Sequence, residues 1–382
     1  MKKTKTFLLG MAFMLMPTAV YANIDLDAKS GILYEPTTGK IISEHNAYES
    51  LPPASVTKVM TMLLIYEAVE QGKITWDDMV TISDHAANMG GSQIFLEATQ
   101  KQPVKDLTKS IIIASANDAS VAMAEFIAGS EDAFVAKMNE KAKSLGMKNT
   151  TFKNACGLDA DGHVTSAYDI ALMSAELMTR YPDVMEIAKV WMDTITHDTA
   201  RGKEEFGLTN TNKMIRHYTG ATGLKTGSTG DALFCVSATA KRDGLDLIAV
   251  IMGSPNSQIR FNEARKLLDY GFANYTVAQG EPADTLKGEI NVNKGEKDTI
   301  PLVIKEQTNV VMAKGNHVTL ENYVETLESI SAPVAKGTKA GEVIYTCEGK
   351  EVGRSDLVTA EDVEKAGFFH MTQRLLKKWV DS

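Results

Sequence analysis

Cysteine is scarce in this 382-residue chain: Cys156, Cys235 and Cys347 are all it has. Three thiols close at most one bridge, which excludes a disulfide scaffold. Cys235 lies in an apolar run and is expected to be a small buried residue. No neighbouring sequence supplies a base for any of the three, which argues against a catalytic cysteine. The seven histidines are scattered, without HExxH or another paired spacing, so no metal and no cofactor is expected. Long apolar runs are also missing at the N-terminus. Phe7–Met16 is ten residues long, and a helix needs about 20 to cross ~30 Å of hydrocarbon. Lys2, Lys3 and Lys5 precede that run and Ala19-Val20-Tyr21-Ala22 follows it. This is the pattern of a cleaved secretion signal over residues 1–22, and it places the mature chain outside the cytoplasm. Taking those three lysines from the 40 basic residues leaves 37 against 49 acidic ones, a net charge of −12. Phosphate backbones require the opposite sign, so nucleic acid is not an expected partner.

What is present suits a folded protein of more than one unit. Apolar residues make up 44% and charged residues 23%, ordinary values for a chain with a real core. From about residue 23 to 278 helix and strand patterns mix. Gly31–Tyr34 and Lys40–Ile42 are expected as short strands around the turn Pro36–Gly39. Lys58–Glu70 is expected as a helix with Val59, Met62, Leu63, Tyr66 and Val69 on one face. Further helices are expected near 116–128, 167–180 and 257–270. Leu233–Ala240 and Leu245–Met252 flank Asp243-Gly244, a hairpin signal, and Gly223–Gly227 is a candidate neighbouring strand. The expected fold class is α+β, helices around a mostly antiparallel sheet. Short segments from 279 to 358, punctuated by Gly and Asn, predict a small all-β sandwich domain. The end of the chain, 359–382, predicts an amphipathic helix. Phe368, Met371, Leu375, Leu376 and Trp379 share one side, and Arg374, Lys377 and Lys378 lie towards the other. Such a face suits a membrane surface; the alternative is docking on its own domain.

Three short motifs carry candidate chemistry. Ser55-Val56-Thr57-Lys58 stands at a helix start, and a spacing of three stacks Ser and Lys on one face. A serine needs a base to become a nucleophile, and a lysine serves if burial or a nearby cation makes it neutral. Ser115-Ala116-Asn117 ends the apolar run Ile111–Ala114. Its hydroxyl can relay a proton and its amide can hold a substrate carbonyl, although Ser115 would equally serve as a helix N-cap. Lys225-Thr226-Gly227 offers a cation and a hydroxyl to a carboxylate, with a glycine that permits close approach to the strand. Each motif alone is common. The ordered set, separated by 60 and then 110 residues, is not.

That set resembles the low-molecular-mass penicillin-binding proteins of the D-alanyl-D-alanine carboxypeptidase type, serine peptidase family S11. The resemblance extends to Pro53–Lys58, Gly90-Gly91-Ser92, Ser115–Ala119, Gly157-Leu158-Asp159 and Gly223–Gly227, and covers nearly the whole mature chain. It implies a DD-peptidase/β-lactamase-like catalytic domain. It also implies roles. Ser55 attacks the carbonyl between two D-alanines, Lys58 takes the hydroxyl proton, and Ser115 passes a proton to the departing D-alanine with help from Lys225. Asn117 orients the substrate. Lys225 and Thr226, beside Gly227, hold the terminal carboxylate, and the N–H groups of Ser55 and Ser228 form the oxyanion hole. The implied partners are peptidoglycan stem peptides and β-lactam antibiotics. The implied location is the outer face of the cytoplasmic membrane. Ala116 stands where many relatives carry Gly or Cys, and Cys156 is an unusual neighbour for Gly157. A class A β-lactamase would need Glu-x-x-Leu-Asn, and an α/β-hydrolase Gly-x-Ser-x-Gly; neither is present. A DD-endopeptidase and a non-catalytic penicillin-binding envelope protein are the alternatives.

Overall fold

The computed structural model describes residues 24–199, 202–314, 320–347 and 349–367. The expected leader, 1–22, and the chain from 368 on lie outside them. A five-stranded antiparallel sheet forms the first unit, in the order Lys40–His45, Ser30–Glu35, Leu245–Ser254, Leu233–Arg242, Ala221–Thr229. Alternation along the central strand builds two cores. Ile248, Val250 and Met252 join the large helical cluster on one face. Leu247, Ala249 and Ile251 pack under the helix Ser257–Asn274 on the other. A strand covered on both faces reads as a continuous apolar run. The loop between its two longest strands is Asp243-Gly244, with φ of 48° and 82°, as a two-residue hairpin turn requires.

The helix Lys58–Glu70 differs from its expected amphipathic form. Ten of its 13 residues are buried, because the helices Val104–Ile113, Asn117–Ala128 and Ala167–Arg180 surround it against the sheet. A helix enclosed on all sides is apolar on all sides. This central position holds its first residue, Lys58, deep in the unit. A hairpin of Met192–Thr199 and Gly202–Thr209 stands out beyond the sheet, paired along its whole length.

The second unit is all β. Six strands run in the order Glu321–Thr326, Lys339–Cys347, Lys350–Thr359, Thr299–Ile304, Leu286–Asn293, Ser329–Ser331, beside a pair formed by Tyr275–Gln279 and Asn309–Ala313. Residues 361–367 are not helical, contrary to expectation. Val363 bridges to Val334 and Lys365 to Gly295, and Val363 is buried in the β core. Apolar burial there outweighs helix propensity, so any terminal helix begins after Gly367.

Candidate active site

Ser55 sits in a 3-10 turn, Ala54–Thr57, that leads straight into the central helix. The i, i+3 spacing puts Lys58 Nζ 3.0 Å from Ser55 Oγ. Lys58 Nζ also donates to Asn117 Oδ1 at 2.6 Å and to the carbonyl of Cys156 at 2.7 Å. An ammonium has three N–H donors, and all three are engaged. Lys58 is fully buried, and that burial lowers its pKa to about 8 against smaller opposing effects from Cys156 and Asp118. Once neutral, the amine keeps its donations to the amide and the carbonyl, and its lone pair faces Ser55.

Ser115 is not a helix cap. The cap position of Asn117–Ala128 is Ala116, with no side-chain bond. Ser115 instead adopts φ 63°, a region that non-glycine residues occupy only when the surroundings impose it. This turns its hydroxyl to accept from Lys225 Nζ at 2.8 Å. The Asn117 amide is oriented at both ends: its oxygen faces Lys58 and its nitrogen donates to the Gly90 carbonyl at 2.6 Å. One amide N–H is left for a substrate carbonyl. The Asn117 backbone N–H donates to Ser92, tying the Gly90-Gly91-Ser92 loop to the site.

Lys225 lies on the edge strand Ala221–Thr229 and is buried. Its Nζ donates to Ser115 Oγ and, at 3.0 Å, to the Thr226 carbonyl. Burial holds its pKa well below the ordinary lysine value, and the charges of Lys58 and Arg260 act in the same direction. Thr226 Oγ1 donates to Thr211 Oγ1 at 2.7 Å. Gly227 is required by the protein itself. A Cβ there would lie 2.8 Å from the Ser55 nitrogen and 2.9 Å from the Ala54 Cβ. The edge strand therefore packs directly on the Ser55 turn, and Ser228, the next residue, is exposed. Arg260 donates from Nη1 to the carbonyls of Gly227 (3.1 Å) and Cys235 (3.2 Å).

The eight residues singled out from the sequence thus come together: Lys58 bonds Ser55 and Asn117, Lys225 bonds Ser115, and Gly227, between Thr226 and Ser228, packs on the Ser55 turn. Pattern reasoning missed the Cys156 and Gly90 carbonyls, Thr211 and Arg260. A carbonyl acceptor leaves no trace in residue type, and Thr211 and Arg260 lie outside the three motifs. Cys156 and Cys235 are buried free thiols and Cys347 is partly exposed.

The family described as D-alanyl-D-alanine carboxypeptidase matches residues 16–256, and the C-terminal domain of penicillin-binding protein 5 matches 276–365. The chain is similar to a D-alanyl-D-alanine carboxypeptidase of Bacillus subtilis, DacF, at 40% identity over 98% of this chain and 97% of that one. It is 35% identical to DacC of Escherichia coli over 94% and 92%. Its fold is similar to penicillin-binding protein 5 from Haemophilus influenzae, with a TM-score of 0.77 at 31% identity, covering 91% of this chain and all of that one.

Proposed function

The chain belongs to the D-alanyl-D-alanine carboxypeptidase family, and from that premise we propose how its residues divide the reaction. It is a serine-type D-Ala-D-Ala carboxypeptidase. Ser55 Oγ attacks the carbonyl carbon between the two D-alanines as its proton passes to Lys58 Nζ. The observation that carries this assignment is the 3.0 Å contact between them, with the other two lysine donors already committed. The N–H groups of Ser55 and Ser228 stabilise the oxyanion; the tight packing of Gly227 on the Ser55 nitrogen supports that pairing. Collapse breaks the C–N bond. Ser115 gives its proton to the departing D-alanine nitrogen, since its oxygen already accepts from Lys225. Lys225 replaces that proton. Asn117 offers its free N–H to the acyl-side backbone, and Lys225 with Thr226 receives the terminal carboxylate. Lys58 then loses its proton to solvent and Lys225 takes one up, so that water can attack the ester with Lys58 again as the base; Lys58 returns the proton to Ser55 Oγ as the C–O bond breaks and Ser55 is regenerated.

Peptidoglycan stem pentapeptides supply such an end, and a β-lactam carries a reactive amide and a carboxylate that suit the same groups. The basic start and ten-residue apolar run before Asn23 support export. The apolar and cationic faces after Gly367 support a helix lying in the outer surface of the cytoplasmic membrane. Among the described residues no helix is long and apolar enough to cross one.

Release of D-alanine from a peptide ending in D-Ala-D-Ala tests the function, comparing wild type with Ser55→Ala. Wild type alone should release it and become labelled by penicillin; labelling of Ser55→Ala at the wild-type rate would remove Ser55 as nucleophile. Ending the chain at Gly367 should free it from membranes on fractionation, and persistent binding would refute the terminal anchor.

A further inference from the structure

His163 belongs to no motif and takes no part in the steps above, yet it is buried against the Ser55 turn, 3% exposed. Its Nδ1 accepts from the backbone N–H of Lys153 at 3.1 Å, and its Nε2 lies 2.8 Å from Thr57 Oγ1. A nitrogen that accepts carries no proton, so the proton sits on Nε2 and His163 donates to Thr57. A second proton would set N–H against N–H in a buried loop. Burial works in the same direction and lowers the histidine pKa to about 4. The ring stands edge-on to Phe152, with centroids 5.9 Å apart, which fixes its plane.

Thr57 is fully buried and lies between Ser55 and Lys58 in the nucleophile turn. The loop that carries His163 reaches the same turn a second time. A Cβ on Gly157 would come 1.9 Å from the Ala54 carbonyl oxygen and 2.9 Å from Thr57 Oγ1. The loop therefore grips the turn on both sides of Ser55.

We propose that His163 is a positioning residue for the nucleophile: its Nε2–H pins the Thr57 hydroxyl and so fixes the rotation of the turn that sets Ser55 Oγ against Lys58 Nζ. The inference rests on Ser55 as the nucleophile and Lys58 as its base. A turn free to rotate would still bind substrate, but it would lose the reacting geometry, and small misplacements of that kind cost rate rather than affinity.

The test uses the full chain and a fluorescent penicillin, separating the acylation rate constant from the preceding binding constant. His163→Phe keeps a ring and removes both nitrogens. Acylation should slow about tenfold or more, with binding and Tm little changed. His163→Gln keeps a donor for Thr57 and should recover most of the rate. Thr57→Val should lose as much as His163→Phe, and the double variant no more than either. Additive losses in the double variant, or a loss confined to the binding constant, would overturn the proposal. If His163→Phe does not fold, Thr57→Val and His163→Gln decide: a full acylation rate in Thr57→Val also overturns it. Labelling that persists in Ser55→Ala instead indicts the nucleophile assignment, a separate failure.

Discussion

Acylation of Ser55 should rise with pH along a limb set by Lys58. The base is active only when neutral, and burial brings its pKa to about 8. An ordinary lysine near 10.4 is neutral in roughly one molecule in 2,500 at pH 7, whereas one near 8 is neutral in about one in ten. Burial thus raises the competent population by about two hundredfold. Below the pKa the rate should fall about tenfold per pH unit, and above it level off. Stopped-flow acylation by a chromogenic cephalosporin between pH 6 and 10 measures this directly. A change of charge beside the lysine should move the limb. Asn117→Asp replaces a neutral acceptor, 2.6 Å from Nζ, by a carboxylate that favours the ammonium and raises the lysine pKa by about one unit or more. Its limb should move to higher pH, with a constant residual loss at the alkaline end because the carboxylate also lacks the N–H groups that Asn117 gives to Gly90 and to the substrate. A flat wild-type profile, or an Asn117→Asp limb at the same pH as that of wild type, would refute Lys58 as the base.

Gly227→Ala should slow acylation by about tenfold or more, because its Cβ would push on the Ser55 nitrogen and Ala54 Cβ; an unchanged rate would show that the nucleophile turn yields freely. Binding of a peptide ending in D-Ala-D-Ala to Ser55→Ala should take up a proton, because a carboxylate beside Lys225 raises a pKa that burial and two cations had lowered. Calorimetry in buffers of different ionisation enthalpy measures that uptake, and its absence would mean that Lys225 is already charged in the free protein.

Legibility from the sequence followed distance along the chain. The Ser55–Lys58 pair was readable because three residues on a helical turn place two side chains together. The Asp243-Gly244 hairpin was readable because its turn chemistry is local. Ser115 was not, since both a cap and a relay fit its pattern, and its bond to Lys225 joins residues 110 apart in the chain. Gly227 was recognised as a site of close approach, but the approaching group proved to be the nucleophile turn. The hairpin 192–209 escaped notice because, among its described residues, it buries only Ile195, His197 and Leu208, so it left no clear apolar alternation. Residues 361–367 carry helix-forming residues, and two bridges to the β domain override them.

The charge around Ser55 runs against the charge of the chain, and under the proposed roles the contrast lets one residue type serve as both base and acid. The whole chain is acidic, −9. Yet Lys58, Lys225 and Arg260 are buried close to Ser55, and among the described residues their hydrogen-bond partners are hydroxyls, carbonyls and one amide, with no carboxylate. Buried cations without counter-ions shed protons, so both lysines are depressed in the free protein. A substrate carboxylate landing beside Lys225 acts unequally on the pair: it restores the proton to Lys225 and leaves Lys58 as the base. In the proposed relay, Lys225 then holds the proton that Ser115 passes to the leaving nitrogen. The substrate's own charge thereby separates two similar groups into donor and acceptor. It follows that amidating the terminal carboxylate of the peptide should reduce kcat as well as weaken binding. A loss in KM alone would mean that Lys225 only anchors the substrate.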